Sequence, residues 1–194
     1  MVPYSNKDFF DNKLKGENFT DDSFKKCRFL DANLRLSSFQ NCSFINCDFS
    51  GVTLNMTTFS DCSFVECKLS NLDFEEASIR NCSFKDSKIT NSIFQTFKLV
   101  DKNKKEKTDL TNCSFQNCDL SNSVFIKCVL KEVGLIDSKL DGVIFERCNL
   151  ENADLVGTSI KKTRFDNCII GGTKLELSGF IQFGASKGFI LNSQ

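Results

Sequence analysis

The chain has 194 residues, and its 25 Lys and Arg balance its 25 Asp and Glu, so the formal net charge is zero. This balance disfavours both a non-specific nucleic-acid binder and a polyanion mimic. The chain contains no His, which excludes histidine acid-base chemistry and Ser-His or Cys-His nucleophile pairs. Neither a signal peptide nor a run of about 18 apolar residues is present, so we expect a cytoplasmic protein that does not enter a membrane.

A large apolar residue recurs at every fifth position along almost the whole chain. Leu, Phe or Ile occupies this central position from Leu14 to Leu99, with Phe9 one unit earlier, and again from Leu110 to Phe180. This period matches neither the helical period of about 3.6 nor the strand period of about 2, so it indicates a repeat architecture with its own geometry. A single period along almost the whole chain favours one elongated body over two domains.

The position two residues before each central residue takes small side chains. All 11 cysteines occupy it, and elsewhere it mostly holds Ala, Ser, Thr or Val. Cys in a narrow interior position acts as a small buried hydrophobe. A ladder of like positions, spaced by the strand separation, does not converge on a metal ion. We therefore predict free thiols, with no metal site, no catalytic residue and no cofactor.

The position two residues after each central residue favours Asn, Asp or Gly, as at Gly51 and Asn91. These residue types tolerate turn conformations, so the pattern predicts a corner in every unit. Cys42, Cys62 and Cys82 recur every 20 residues, which indicates that four units complete one coil. A chain with a corner in each unit and four units per coil is a quadrilateral coil.

Units such as NCSFI, NCDFS, DCSFV, ANLRL, CDLSN and ADLVG resemble the A(D/N)LXX unit of the pentapeptide repeat family. The resemblance covers roughly residues 9–184. It implies an all-β fold, a right-handed quadrilateral parallel β-helix of about eight coils stacked at the strand spacing. We expect an N-terminal cap at 1–13, a single β-helix at 14–180, and a C-terminal cap or dimerisation segment at 181–194.

The period is interrupted between Leu99 and Leu110 by the sequence VDKNKKEKTD. Lys102 and Lys104 fall where inward residues should be, and an ammonium group is costly to bury, so we predict a loop at 101–108. Eleven residues between the two centres correspond to one unit plus six extra residues. One observation conflicts with that register: NCSFQNCDLSN at 112–122 resembles NCSFINCDFSG at 41–51, which it would place on neighbouring faces. The six-residue insertion would continue the column of Cys42, Cys62 and Cys82 onto Thr108, Cys128, Cys148 and Cys168.

Two breaks in the pattern are candidate sites, because insertions into a regular scaffold often carry binding function. The first is the loop, although a surface insertion without a role is the alternative. The second is the apolar tail, which either caps the last coil or joins two subunits into a homodimer. The candidate partner-binding residues are Asp101, Lys102, Lys104, Lys105, Glu106 and Lys107, and the candidate dimerisation residues are Phe183, Phe189, Ile190 and Leu191.

Outward apolar residues form a third candidate surface, because residues 20 apart are expected to stack in one column. An exposed apolar strip can bind a partner, although β-propensity on a sheet face explains a narrow strip equally. The expected columns are Ile45 with Val65, Val124 with Ile144, Ile136 with Val156, and Val129 with Ile169 two coils apart.

Well-understood pentapeptide repeat proteins include the quinolone-resistance proteins, rods similar in size to B-DNA that shield the bacterial type II topoisomerases DNA gyrase and topoisomerase IV. This chain resembles them in length, in its single rod and in its loop, and departs from them in its zero net charge and single clear loop. The resemblance implies a non-enzymatic, DNA-mimic-like protector of gyrase in a bacterial cytoplasm, which binds protein rather than nucleic acid. The alternative is an interaction scaffold for another partner, without DNA mimicry.

Overall fold

The computed structural model describes residues 2–95 and 108–192. They form a parallel β-solenoid of about 8 turns, in which paired residues lie 20 apart in sequence. Three sheets run along the solenoid, and a column of single β-bridges forms the fourth side. The strands are β1 (Pro3–Ser5), β2 (Asn18–Thr20), β3 (Ser23–Lys25), β4 (Ser38–Gln40), β5 (Ser43–Ile45), β6 (Thr58–Ser60), β7 (Ser63–Val65), β8 (Ser78–Arg80), β9 (Ser83–Lys85), β10 (Ile93–Gln95), β11 (Ser114–Gln116), β12 (Val124–Ile126), β13 (Ile144–Glu146) and β14 (Arg164–Asp166), and the helix is α1 (Leu177–Ser186).

Each coil visits four faces in the order A, B, C, D. Face A is the six-stranded sheet β1-β3-β5-β7-β9-β11, and face B is the bridge column from Asp8 to Ser159. Face C begins with single bridges and continues as the sheet β10-β12-β13-β14, whereas face D begins as the sheet β2-β4-β6-β8 and continues with single bridges. The corners are named by the two faces they join. Four faces in every coil confirm the predicted quadrilateral β-helix.

Stacked aromatic rings fill the interior. On face A, Phe44 is fully buried, and its ring lies parallel to those of Phe24 and Phe64 at centroid distances of 4.9 and 4.8 Å. These distances match the spacing of hydrogen-bonded strands, about 4.8 Å, so identical residues one coil apart stack without adjustment. The central position of each unit is therefore the core of the solenoid.

The small position next to the core holds free thiols. Ten of the eleven cysteines are buried and Cys168 is half-buried, as the sequence pattern predicts. Nine of the eleven thiols also donate to a backbone carbonyl of the preceding coil, for example Cys47 Sγ to the Phe24 oxygen at 3.3 Å. Thr57 occupies the same kind of position and donates to the Leu34 oxygen at 2.8 Å. The position therefore takes small side chains, and those that carry a donor add a hydrogen bond to the solenoid.

The predicted corners are confirmed. At nearly every described corner the residue two positions after the core residue has a left-handed backbone, such as Asn41 with φ 53 and Asn91 with φ 57. Asn and Gly adopt this conformation at little cost. Among the described corner residues, Glu76 is the exception, because its φ is not positive. The equivalent residue one coil earlier, Met56, has φ 57.

The predicted six-residue insertion is wrong. Strand β11 pairs with β9, so that Phe115 lies opposite Phe84 and Ser114 opposite Ser83. The pairing spans 31 residues, which is one coil of 20 plus an insertion of 11. The column of Cys82 consequently continues onto Cys113, and Thr108 does not take that place.

Aromatic stacking explains this register. Phe84 and Phe115 stack at 4.8 Å, and Phe94 and Phe125 stack at 4.5 Å. A six-residue insertion would have placed Phe84 against Leu110 and broken the ring column. The insertion lies between Gln95 and residue 108, at corner CD.

Both chain ends depart from the expected boundaries. Strand β1 pairs with β3, and Tyr4 stacks on Phe24 at 4.7 Å, so the segment 1–13 contributes the first coil rather than a separate cap. Phe180, which the period places at the centre of a last unit, instead lies on α1 and is 65% exposed. The unit around Phe180 lacks a turn residue at its corner position, which holds Gln182.

Alkaline pH is predicted to destabilise the fold. Burial raises the pKa of Cys113 to about 11 and that of Cys118 to about 12, from an ordinary value of 9.0. Above pH 9 an unfolded chain loses these protons while the folded chain keeps them, so stability present below pH 9 is lost as the pH rises towards 12. Each such thiol contributes a slope of about 1.4 kcal/mol per pH unit.

Denaturant titrations between pH 7 and pH 11 measure this effect. The unmodified protein is compared with the double variant Cys113→Val and Cys118→Ser, which lacks both thiols. These replacements fit the fold because Val133 and Ser138 occupy the same columns one coil further on. The variant is expected to show a shallower loss of stability above pH 9. Equal slopes for the two proteins would contradict the assignment.

Candidate functional site

Two rows of carboxylates border face A. They project there because the left-handed corner residues point away from the core. The rows are interrupted by cations, since Lys25 and Lys85 stand on face A between them and Lys26 stands in one row. Corner DA carries Asp21, Asp61 and Glu132, and corner AB carries Glu66, Asp86 and Asp137.

Asparagines hold these carboxylates in position. The Asn81 amide donates to Asp61 Oδ1 at 3.1 Å, and the Asn117 amide donates to Asp86 Oδ1 at 2.6 Å. In each case the donor belongs to the next coil in the same column. The carboxylates of Asp61 and Asp86 are therefore held in place rather than freely rotating.

The first four coils of face B carry charges of alternating sign, and Lys88 follows Lys68 in the fifth. Arg28 forms an ion pair with Asp8, and Lys68 Nζ lies 3.2 Å from Asp48 Oδ2. The hydrogen bond from Arg28 lowers the pKa of Asp8. Burial opposes ionisation of Asp48, but hydrogen bonds from Ser50 and Lys68 outweigh it, and the pKa of Asp48 is lowered. The first four coils of face B accordingly form a neutral, internally paired surface.

The expected outward apolar columns are present. Ile45 pairs with Val65 on face A, and Val124 pairs with Ile144 on face C. The corrected register adds Ile93, which pairs with Val124 and is 37% exposed. Each column is only two or three residues long, so these surfaces are narrow strips.

The predicted loop site lies outside the described residues. This applies to Asp101, Lys102, Lys104, Lys105, Glu106 and Lys107. The structure supplies the flanking positions: Gln95 ends β10 on face C, and Asp109 forms a bridge to Val129 on face D.

Helix α1 covers the last coil. Phe183 packs edge-on against Phe165, with ring centroids 5.6 Å apart. The Gln182 side-chain oxygen accepts from the Ile160 N–H at 3.2 Å, and Lys187 Nζ donates to the Phe165 carbonyl at 3.1 Å. The helix thus pairs backbone groups at an open edge of the solenoid, which would otherwise invite association.

The predicted tail residues divide into two groups. Phe183 faces the core, whereas Phe189, Ile190 and Leu191 are 75%, 93% and 71% exposed. The exposed group borders an apolar cavity of about 370 Å³ together with Phe180. Sequence reasoning missed Gln182 and Lys187, because the helix that directs them starts where the repeat ends.

In residues 2–95 and 108–192, no group of three or more His, Cys, Asp or Glu side chains could hold a metal ion. No helix in this described part is both long and apolar enough to span a bilayer.

The sequence matches the family model described as Pentapeptide repeat region over residues 37–103 and 108–180, and the one described as Pentapeptide repeats (8 copies) over residues 18–55. The chain belongs to the pentapeptide repeat family. A comparison with curated proteins finds no match.

This pentapeptide repeat chain is similar in structure to full-length QnrB1, a plasmid-mediated fluoroquinolone resistance protein. The two share 18% identity with a TM-score of 0.50, over 97% of this chain and 98% of QnrB1. HetL, involved in heterocyst differentiation regulation in the cyanobacterium Nostoc sp. strain PCC 7120, shares 12% identity with a TM-score of 0.36 over 90% and 87%. Rfr23, from the cyanobacterium Cyanothece 51142, shares 13% identity with a TM-score of 0.25 over 90% and 91%. At 18% identity the likeness to QnrB1 concerns the fold alone.

The helix contacts predict unequal roles for two phenylalanines. Phe183→Ala is expected to lower the free energy of unfolding by about 2 kcal/mol, below the ~3–5 kcal/mol of a fully buried Phe. Phe189→Ala is expected to change it by less than about 0.5 kcal/mol, because the side chain is mostly exposed. Denaturant unfolding of dilute protein, at concentrations where light scattering gives the mass of one chain, measures both. Equal effects would show that α1 does not stabilise the last coil through Phe183.

Proposed function

We propose that this chain is a non-enzymatic, protein-binding rod that protects bacterial type II topoisomerase, in the first place DNA gyrase, from quinolones in the cytoplasm. The observation that carries the proposal is the extent of the single solenoid. It corresponds to QnrB1 over 97% of this chain and 98% of that one, and QnrB1 is by name a fluoroquinolone resistance protein. The solenoid offers extended faces for binding a partner, and the described residues supply neither a metal cluster nor a His for catalysis.

The carboxylate rows beside face A support a DNA-mimic-like contact. A DNA-binding surface of a topoisomerase is cationic, because it neutralises phosphates. The carboxylates on two corners of one rod present anions along two lines, as the two strands of a duplex present phosphates. Asp61 and Asp86 are held by asparagine ladders, so such a surface needs little reorganisation on binding.

The alternative is an interaction scaffold without DNA mimicry. The ion pairs of face B and the zero net charge favour it, because both reduce the field that would attract a DNA-binding groove. The loop at 101–108 is a proposed contact under either function, since it interrupts a repeat that is otherwise strict.

A gyrase supercoiling assay with a quinolone tests the main proposal. The purified chain is expected to restore supercoiling. The double variant Asp86→Asn and Asp137→Asn is expected to need about 3- to 10-fold more protein for the same protection, since it removes two exposed charges. The matched control Asp11→Asn and Asp31→Asn makes the same change in left-handed residues of corner BC.

The same assay tests the loop with two adjacent-lysine variants. Lys104→Glu with Lys105→Glu is expected to weaken protection, and Lys161→Glu with Lys162→Glu is the matched control on the last coil. Full inhibition at a molar excess of the unmodified chain contradicts topoisomerase protection. If Asp86→Asn with Asp137→Asn protects as well as the unmodified chain, DNA mimicry is contradicted. The chain would then bind its partner as an interaction scaffold without mimicry.

We also propose that the chain forms a homodimer through residues 181–194. Phe180, Phe189, Ile190 and Leu191 leave an apolar surface at one end of the rod, and a two-fold interface buries the same patch on both copies. Helix α1 satisfies part of the solenoid edge, so a second copy would complete the cover.

Light scattering at tens of micromolar is expected to give twice the chain mass. Phe189→Ser with Ile190→Ser is expected to return the mass of one chain, because it places hydroxyls in the interface. The control is Val2→Ser with Phe10→Ser, which changes exposed apolar residues at the opposite end of the rod. A single-chain mass for the unmodified protein contradicts the dimer.

A further inference from the structure

Corner CD departs from the turn chemistry of the other three corners. In two consecutive coils its left-handed residues are Leu36, with φ 64, and Met56, with φ 57. A left-handed backbone is sterically unfavourable for residues with large side chains, and most equivalent positions elsewhere hold Asn, Asp or Gly. Leu36 and Met56 are also 49% and 45% exposed. Neither turn stability nor core packing accounts for them.

The same corner is distorted in the next coil. The Met56 N–H donates to the Glu76 carbonyl at 3.0 Å, whereas the Leu36 N–H donates to the Asn55 carbonyl, one position earlier in its unit. Leu72 fills the small position of this unit, where the coils before it hold Ala32 and Val52. A cavity of about 280 Å³ lies beside Asn55, and its other lining residues include Asp73, Glu75 and Glu76.

Charge changes sign along this edge. The residues preceding the corner in successive coils are Lys15, Arg35, Asn55 and Glu75. Among the ion pairs of the described residues, none involves Lys15 or Arg35. The edge therefore runs from two unpaired cations, past two exposed apolar side chains, to carboxylates.

We propose that Leu36 and Met56 form a docking ridge for a segment of a partner protein. The segment is apolar at its centre, acidic where it meets Lys15 and Arg35, and basic where it meets Glu75. This inference rests on the proposed function of the chain as a protein-binding rod, and it assigns that function a surface separate from face A and from the loop.

The dimensions fit one amphipathic helix laid along the rod. Coils stack at about 4.8 Å, so Leu36 and Met56 are separated by nearly the helical pitch of about 5.4 Å. Apolar side chains at i and i+3 or i+4 of a helix therefore match the two residues. Lys15 and Glu75 are three coils or about 14 Å apart, which corresponds to roughly ten helical residues.

The mixed charge argues for protein over other partners. Nucleic acid would meet repulsion from Glu75 and Glu76 and gains little from apolar side chains. A membrane surface favours a continuous apolar face rimmed by cations, whereas this ridge is two residues long and ends in carboxylates.

The double variant Leu36→Asn with Met56→Asn separates a binding role from a structural one. Asn suits the left-handed backbone, so we expect the melting temperature to rise by roughly 2–4 °C while binding is lost. If the two residues served only the fold, their replacement would not raise the melting temperature and abolish binding at the same time.

The binding probe is a displayed library of random 12-residue peptides, selected on the full chain and counter-selected on this variant. We expect enriched sequences with acidic, apolar and basic portions in that spatial order along the ridge. A synthetic enriched peptide is expected to bind the unmodified chain at least about tenfold more tightly than the variant. It is expected to bind equally to a Phe10→Ser and Leu30→Ser control, which alters exposed apolar residues of face B.

The outcomes separate the two levels of the proposal. If no peptide distinguishes the chain from the variant, or if enriched peptides lack the charge order, the ridge is overturned. A different outcome is that peptides distinguish the chain from the variant but the chain does not relieve quinolone inhibition of gyrase. That outcome supports the ridge and contradicts only the topoisomerase proposal. A variant that loses stability instead of gaining it would show that the two side chains serve the fold.

Discussion

The structure depends on one constraint: each residue lies over its equivalent in the coil below, at the spacing of hydrogen-bonded strands, about 4.8 Å. Side chains that pack well against copies of themselves are therefore favoured in the interior. Flat rings meet this demand, as the parallel stacking of Phe24, Phe44 and Phe64 shows. Thiols and hydroxyls in the small position meet it by donating to the preceding coil.

The same constraint works against like charges in one column. Two carboxylates on consecutive coils would repel at this distance. The first four coils of face B accordingly alternate Asp8, Arg28, Asp48 and Lys68, although Lys88 follows Lys68 in the next coil. Corner DA places Asn41 between Asp21 and Asp61. Stacking thus favours an acidic stripe whose carboxylates are separated by neutral spacers. The row on corner DA follows this form, whereas Glu66 and Asp86 of corner AB lie on consecutive coils without a spacer.

Sites of function are expected where the stacking rule is relaxed. The insertion at corner CD, the change from solenoid to helix after Leu175, and the exposed Leu36 and Met56 are such places. The first two were visible as interruptions of the period. The third was visible as Leu and Met in a position that elsewhere holds Asn, Asp or Gly, but it acquires meaning only once the corner is known to be left-handed.

The register across the insertion could not be predicted by counting residues between repeat units. Counting the residues between Leu99 and Leu110 measures a distance along the chain, whereas the fold selects the register that stacks Phe84 on Phe115 and Phe94 on Phe125. The resemblance between 112–122 and 41–51 pointed the right way, because similar segments stack best on the same face. The helix was missed for a related reason: Phe180 keeps the period by position but has no corner residue after it.

The amino-acid sequence by itself determined the repeat, the four-sided coil, the inward thiols and the corners, because each follows from local residue types recurring every five residues. Only the tertiary structure decided which columns continue across the insertion, how Gln182 and Lys187 pair the last coil, and which carboxylates share a corner. Those features depend on contacts between residues 20 to 31 apart in sequence. Which arrangement forms depends on the relative energies of complete alternative stackings of the coils. The sequence of a single repeat unit does not specify those energies.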